Sequence, residues 1–284
     1  MKPFVAYTLV MGVACGAMVA ALTSRPVAAA DDDEAVVQSD HAFVEAIGKA
    51  DKAAVGKLLD ANFMWTDSAG KTLTKTQVLQ NLPTPKTGYN TEGKEWTYGQ
   101  VGTVQVASGK VHVLRVWVKR PAGWRALVYQ EVTQADTAQT PGPSTNDCVN
   151  PCKEVPYKPK NEAEKGVILS WQQLETAVTG HDPNAWSPHF ADEFVLIASG
   201  GTQPTTKADR MAQLTKPGAG PAPPGLDWAR MFDFGDTVVM VSQSKPYSGK
   251  PAHISRVWIK GTDMWQMAFS YQTTIQAAPA AAPK

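Results

Sequence analysis

One stretch occurs twice in this chain, and it restricts the fold more than any other feature. The first copy runs His112-Val113-Leu114-Arg115-Val116-Trp117-Val118-Lys119, then four residues of turn and Trp124. The second runs His253-Ile254-Ser255-Arg256-Val257-Trp258-Ile259-Lys260, again with four residues before Trp265. β-Branched and aromatic residues bounded by a glycine-containing turn read as a strand returning on itself. The correspondence spreads outward from this stretch. Asp51 matches Asp182, Phe63 matches Phe194, Lys75 matches Lys207, and Trp96 matches Trp228. Ser108-Gly109-Lys110 matches Ser248-Gly249-Lys250. A length of 284 residues suits about two domains of roughly 150 residues each.

Each copy reads in the same order. Apolar residues at helical spacing from Glu34 to Gly48, with Val36, Phe43, Val44 and Ile47 on one stripe, predict a first helix. Asp51 predicts an N-cap for a second helix, Lys52 to Leu59. A short strand over Phe63–Thr66 and a turn at Asp67–Gly70 follow. Thr74 and Gln77 form a capping box for a third helix, which Pro83 and Pro85 end. Four strands come next, at Glu95–Tyr98, Thr103–Val106, Val111–Lys119 and Trp124–Thr133. In the second copy Val167, Trp171, Leu174 and Val178 mark the first helix, and Asp182-Pro183 starts the second. Trp186 and Phe190 stand where Val55 and Leu59 stood. Four strands end this copy, at Leu226–Asp233, Thr237–Ser244, Ala252–Lys260 and Met264–Thr274. Tyr129-Gln130 matches Tyr271-Gln272 only with one extra residue after Trp265, which predicts a bulge there.

The ends of the chain and the connection between the copies carry different signals. Lys2, the apolar run Phe4–Leu22 and Ala28-Ala29-Ala30 ahead of an acidic cluster read as a secretory signal peptide over 1–30. An uncleaved anchor is the other reading of so long an apolar run. Cleavage implies a periplasmic or secreted protein that keeps no membrane attachment. Losing Lys2 and Arg25 takes the net charge from +1 to −1. That is not the basic footprint of a nucleic-acid binder, so no nucleic-acid partner is expected. Cys148 and Cys152 then remain, and an even pair in an exported chain predicts a disulfide. The expected organisation is a first domain at 31–134, a Pro-rich linker with the Cys pair at 135–161, a second domain at 162–276 and a disordered tail at 277–284.

Helix, helix, short strand, helix, then a long antiparallel meander resembles the nuclear transport factor 2-like superfamily. The closing pair, Arg115-Val-Trp-Val-Lys119 followed by Trp124-Arg-Ala-Leu-Val-Tyr-Gln130, is similar to its SnoaL-like and ketosteroid-isomerase-like branch. The resemblance implies an α+β fold: two tandem cone-shaped domains, each with three helices packed on a curved antiparallel sheet around a pocket. Many members pair sheet to sheet, so the resemblance implies an intramolecular pseudo-dimer or a homodimer. It does not imply one activity, because members include isomerases, dehydratases and cyclases as well as binding and assembly domains.

Within that frame the strands offer candidate site residues. With a period of two, His112 shares a face with Val116 and Val118, and His253 with Val257 and Ile259. That face is expected to point into the cone, which makes both histidines pocket candidates and potential general bases. Trp65, Tyr129 and Tyr271 are further pocket candidates. Arg115, Trp117, Arg256 and Trp258 fall on the opposite face, where Trp and Arg suit a sheet-to-sheet interface. Asp51 and Asp182 are accounted for as helix caps. Asp67, Asp233 and Glu131 are unmatched between copies and are candidate catalytic acids. The histidines, His41, His112, His181, His189 and His253, show no usable ligand spacing, so neither metal nor cofactor is expected. The leading expectation is an exported protein that binds a small apolar or aromatic molecule without catalysis. The alternatives are an acid–base enzyme of the isomerase, dehydratase or cyclase type and a sheet-mediated interaction module.

Overall fold

A computed structural model describes residues 27–86, 93–138, 148–216, 223–246 and 250–276. Most of the expected leader and all of the expected tail lie outside the described residues. Helix α1 spans Val27–Gly48, and so begins inside the expected leader, ahead of the predicted start at Glu34. Val36, Phe43, Val44 and Ile47 are buried along one stripe of it. The Asp51 carboxylate accepts from the backbone N–H groups of Ala53 and Ala54 at 3.1 and 2.9 Å and starts α2 (Lys52–Leu58). The Thr74–Gln77 capping box starts α3 (Lys75–Gln80). The second unit repeats these devices. Asn161 caps α4 (Glu162–Thr179), Asp182 caps α5 (Pro183–Trp186), and a Thr206–Asp209 box opens α6 (Lys207–Leu214).

Each unit builds one six-stranded sheet. The first contains β1 (Leu59–Thr66), β2 (Thr72–Thr74), β3 (Gly93–Tyr98), β4 (Val101–Ser108), β5 (Val111–Arg120) and β6 (Gly123–Thr133), in the order β2-β1-β6-β5-β4-β3. The second contains β7 (Phe190–Ala198), β8 (Thr205–Thr206), β9 (Leu226–Asp233), β10 (Thr237–Ser244), β11 (Ala252–Lys260) and β12 (Trp265–Thr274), in the order β8-β7-β12-β11-β10-β9. Neighbours are antiparallel except β1–β6 and β7–β12, which run parallel. The short strands β2 and β8 were not anticipated, because two or three residues carry no measurable periodicity.

Two strand features differ from expectation. The first is facing. Val113 and Trp117 join the core under the helices, whereas Leu114, Val116 and Val118 join a third cluster shared by both sheets. In the second unit Trp258 lies under the helices and Val257 in the shared cluster. The faces are therefore the reverse of those assigned from the sequence. A period of two shows which residues share a face but not which face turns inward. The bulky indoles fill the deep space below the helices, and the β-branched side chains make the flatter surface where the sheets meet. The second feature is the bulge. The register passes from Val116↔Val128 to Trp117↔Ala126, leaving Leu127 unpaired, and from Val257↔Phe269 to Trp258↔Met267, leaving Ala268 unpaired. Both units carry the bulge, so the second has no extra residue. Arg115 stands opposite Tyr129 and Arg256 opposite Ser270, which makes Ser270, not Tyr271, the counterpart of Tyr129.

The two sheets meet over the shared cluster, with Leu114, Val116, Leu127, Val239, Val257 and Phe269 fully buried in it. Polar contacts cross the same surface. The Gln130 amide nitrogen lies 3.1 Å from each of His253 O and Tyr271 O and 2.9 Å from Thr273 Oγ1. Thr273 Oγ1 donates to Glu131 O at 2.7 Å, and Tyr271 Oη donates to Gln105 Oε1 at 3.1 Å. Gly70, at φ +80°, also sits against the other unit: a Cβ there would come within 2.6 Å of Ile275 Cα. Between the units, Cys148 and Cys152 form a disulfide. The Asn150 side chain inside that loop pairs with both backbone groups of Leu226, at 2.9 and 3.0 Å. Among the described residues no helix is long and apolar enough to cross a membrane.

Burial between the sheets lowers the pKa of His253 from 6.5 to about 4, with the Asp67 carboxylate acting in the opposite direction. Between these values the unfolded chain binds a proton that the folded chain does not. Stability is therefore full above pH 6.5 and falls on acidification, by about 3 kcal/mol once the pH is below the folded value. Urea midpoints at about pH 7 and about pH 4.5 are expected to differ less in His253→Gln than in the parent. An equal acid sensitivity would contradict this.

Candidate functional site

The same arginine faces the helices in both units and meets a different neighbour in each. In the first unit, Arg115 donates from Nε to Asp40 Oδ1 at 2.6 Å and from Nη2 to Asp40 Oδ2 at 2.8 Å. Trp117 Nε1 donates to the same Oδ1 at 3.0 Å. Asp40 and Arg115 are 3% and 4% exposed, so this is a buried ion pair with both carboxylate oxygens engaged. Aromatic rings occupy the space beside it. Trp65 stacks on Tyr129 with centroids 3.6 Å apart, and Phe43 meets Phe63, Trp117 and Tyr129 at 5.9–6.4 Å. Glu131 accepts from Tyr129 Oη at 2.9 Å, Lys86 N at 3.0 Å and Ser68 N at 3.2 Å.

In the second unit three of these groups change while Phe194 and Trp258 repeat Phe63 and Trp117. The position of Asp40 on the first helix is taken by Trp171, 131 residues on, the same offset that separates Asp51 from Asp182. Trp65 and Tyr129, paired across β1 and β6, are replaced by Leu196 and Ser270, paired across β7 and β12. The smaller pair leaves a cavity of about 760 Å³. Trp171, Leu174, Trp186, Phe190, Phe194 and Met267 form its apolar wall, and Glu175, Arg210, Ser270 and Arg256 are its main polar groups. Such a volume suits a small organic molecule.

The polar groups of this cavity are short of partners. Arg256 is 6% exposed, and its Nε and Nη1 have no hydrogen-bond acceptor among the described residues. Outside the cavity lining, Trp258 Nε1, the counterpart of Trp117 Nε1, also has none among the described residues. The Arg256 guanidinium lies 4.9 Å from the Trp171 ring centroid, a cation–π contact in place of an ion pair. Trp171 Nε1 donates to Glu175 Oε1 at 2.9 Å. Burial pushes the pKa of Arg256 down to about 10, and Glu175 partly restores it, so the guanidinium stays charged at neutral pH. Burial likewise lowers Arg210, with Glu175 opposing. Glu175 itself is raised by burial, against the pull of Arg256, the Trp171 N–H and Arg210.

The residues singled out in the sequence are thus redistributed. Arg115, Trp117, Arg256 and Trp258 lie under the helices rather than at the sheet-to-sheet surface, and Arg256 lines the cavity. His112 and His253 turn the other way. His112 Nε2 is 2.8 Å from Gln134 Oε1, and burial lowers its pKa. His253 lies against Trp228 and next to Gln130. Neither reaches the cavity, so neither serves there as a base. Trp65 and Tyr129 fill the first cone, and Tyr271 faces the other sheet. Asp67 takes Ala69 N and Lys71 N at 2.9 Å, and Asp233 takes Gly235 N at 2.8 Å, as turn caps. No cluster of metal-ligating side chains occurs among the described residues. Glu175 and Arg210 carry no sequence signal of a site, and Trp171 reads there only as a helix core residue. The available signal was the change from Asp40 to Trp171 on aligned helices, which removes a carboxylate while the arginine stays.

Each unit packs three helices against one six-stranded sheet. Among solved structures, the chain is similar to an NTF2-like protein from Cytophaga hutchinsonii at 18% identity, over 40% of this chain and 99% of that one, with TM-score 0.35. It is also similar to an NTF2-like protein with a cystatin-like fold from Novosphingobium aromaticivorans, at 13% identity over 38% and 86%, TM-score 0.32. A third is an NTF2-like protein of unknown function from Shewanella baltica, at 10% identity over 44% and 100%, TM-score 0.31. No family model and no curated protein matches the chain.

The Asp40–Arg115 pair makes a direct prediction. Asp40→Ala leaves a buried, uncompensated guanidinium and is expected to cost about 3–5 kcal/mol. Double substitution with Arg115→Met is expected to recover much of that loss. Chemical denaturation of the two variants checks both, and a loss below about 1 kcal/mol in Asp40→Ala would contradict the assignment.

Proposed function

We propose that the protein is an exported binder of a small molecule with an apolar or aromatic body, taken up in the second cone. The observation that carries this reading is the cavity of about 760 Å³ walled by Trp171, Trp186, Phe190 and Phe194. The corresponding space in the first unit is occupied by the Trp65–Tyr129 stack and the Asp40–Arg115 pair. The first cone then acts as a structural partner whose sheet backs the binding unit, and the tandem arrangement serves as an intramolecular pseudo-dimer. The leader-like sequence at 1–30 and the Cys148–Cys152 disulfide support export.

An acid–base reaction in the same cavity is the second reading, and Glu175 favours it. A carboxyl group whose pKa is raised by burial beside a binding space is suited to hold and deliver a proton. Turnover of a bound molecule that is lost in Glu175→Gln, with binding retained, would move the assignment from binder to enzyme.

Uptake of the neutral fluorophore N-phenyl-1-naphthylamine tests the binding reading. The parent is expected to take up about one equivalent with a blue-shifted, enhanced emission. Leu196→Trp with Ser270→Tyr restores the first unit's fillers and is expected to weaken uptake about tenfold or more. A parent that takes up no probe, or a filled variant that binds as well as the parent, would contradict the reading.

A further inference from the structure

The two units pose one electrostatic problem and answer it differently. A buried guanidinium is costly without a counter-charge. In the first unit the chain supplies it: Asp40 lies along the Nε–Nη2 edge of Arg115. In the second unit the equivalent residue is Trp171, and no carboxylate oxygen among the described residues lies within 4.0 Å of Arg256. Arg256 nevertheless remains, 94% buried, on the wall of the cavity. We infer that the ligand of the second cone is an aromatic or alicyclic carboxylic acid, whose carboxylate pairs with the Arg256 guanidinium from the cavity side. This inference rests on the cavity being the ligand site.

Two further observations support a carboxylate. The guanidinium edge that Asp40 occupies in the first unit matches the planar, two-oxygen geometry of a carboxylate. The charges of the wall leave room for one anion: Arg256 and Arg210 face Glu175 alone within the cavity, and Lys250 adds a cation at the rim. The rest of the wall is aromatic and aliphatic, and takes the body of the acid.

Calorimetric titration of the full chain with 2-naphthoate and its neutral amide, 2-naphthamide, tests the inference. The parent is expected to bind the acid at least about tenfold more tightly than the amide, the margin of a charge-assisted hydrogen bond. That preference is expected to vanish in Arg256→Gln. It is also expected to vanish in Trp171→Asp, where the chain supplies its own carboxylate. The second variant keeps Arg256 and so separates lost charge from lost structure, with near-ultraviolet circular dichroism confirming the fold of each. Equal affinity for acid and amide in the parent, or a preference that survives in both variants, would overturn the inference. If the parent takes up N-phenyl-1-naphthylamine but does not prefer the acid, only this inference falls. If it takes up neither the fluorophore nor the naphthyl pair, the cavity reading falls with it.

Discussion

A buried arginine dictates much of this structure. It stands at the same register of the same strand in each unit, under the helices and beside a buried tryptophan. Such a charge must be neutralised or it destabilises the fold. The first unit neutralises it with an aspartate one helix away, and that aspartate also takes up the neighbouring indole N–H. Once the arginine, the aspartate and the indole are locked together, the rings of Phe43, Phe63, Trp65 and Tyr129 complete a closed core. The second unit keeps the arginine and the indole but not the aspartate. Its two filler positions shrink to Leu196 and Ser270, and a cavity lies where the closed core stood. The copies thus differ at Asp40 and Trp171, Trp65 and Leu196, and Tyr129 and Ser270 around the same buried arginine.

The two cones depend on each other through the backs of their sheets. Sheet-to-sheet packing of β-branched and aliphatic side chains buries the face that the helices do not cover. Gln130 and Thr273 stitch that surface through backbone acceptors of the opposite unit. The bulges at Leu127 and Ala268 are central to this division of faces. Each turns the end of the long last strand by one position, and that turn puts Tyr129 into the first cone and Tyr271 between the sheets. A first unit filled by its own side chains thus backs a second one that holds a cavity.

Much of the fold was legible in the residues. The duplicated strand, the capping aspartates Asp51 and Asp182, and the Thr74 and Thr206 capping boxes mark the elements through local chemistry, which does not depend on the rest of the chain. Facing was not legible, because alternation is symmetric and both faces of these sheets are buried. A reader expecting one polar face takes His112 for the inside and Arg115 for the outside, and the buried Asp40 partner reverses that choice. The bulge after Trp265 is present as expected, but the first unit carries it too: aligning two tyrosines by type suggests an extra residue, whereas the ladder aligns Tyr129 with Ser270. The site itself is visible only as a difference between copies, at Asp40 and Trp171, Trp65 and Leu196, Tyr129 and Ser270. None of these positions carries a motif.

If the second cone alone receives a ligand and Arg256 orients it, a crystal of the chain soaked with 6-bromo-2-naphthoate will show one bromine per chain by its anomalous signal, among Trp186, Phe190 and Phe194, with the carboxylate on Arg256. A bromine in the first cone near Arg115, or one between the two sheets, would contradict it.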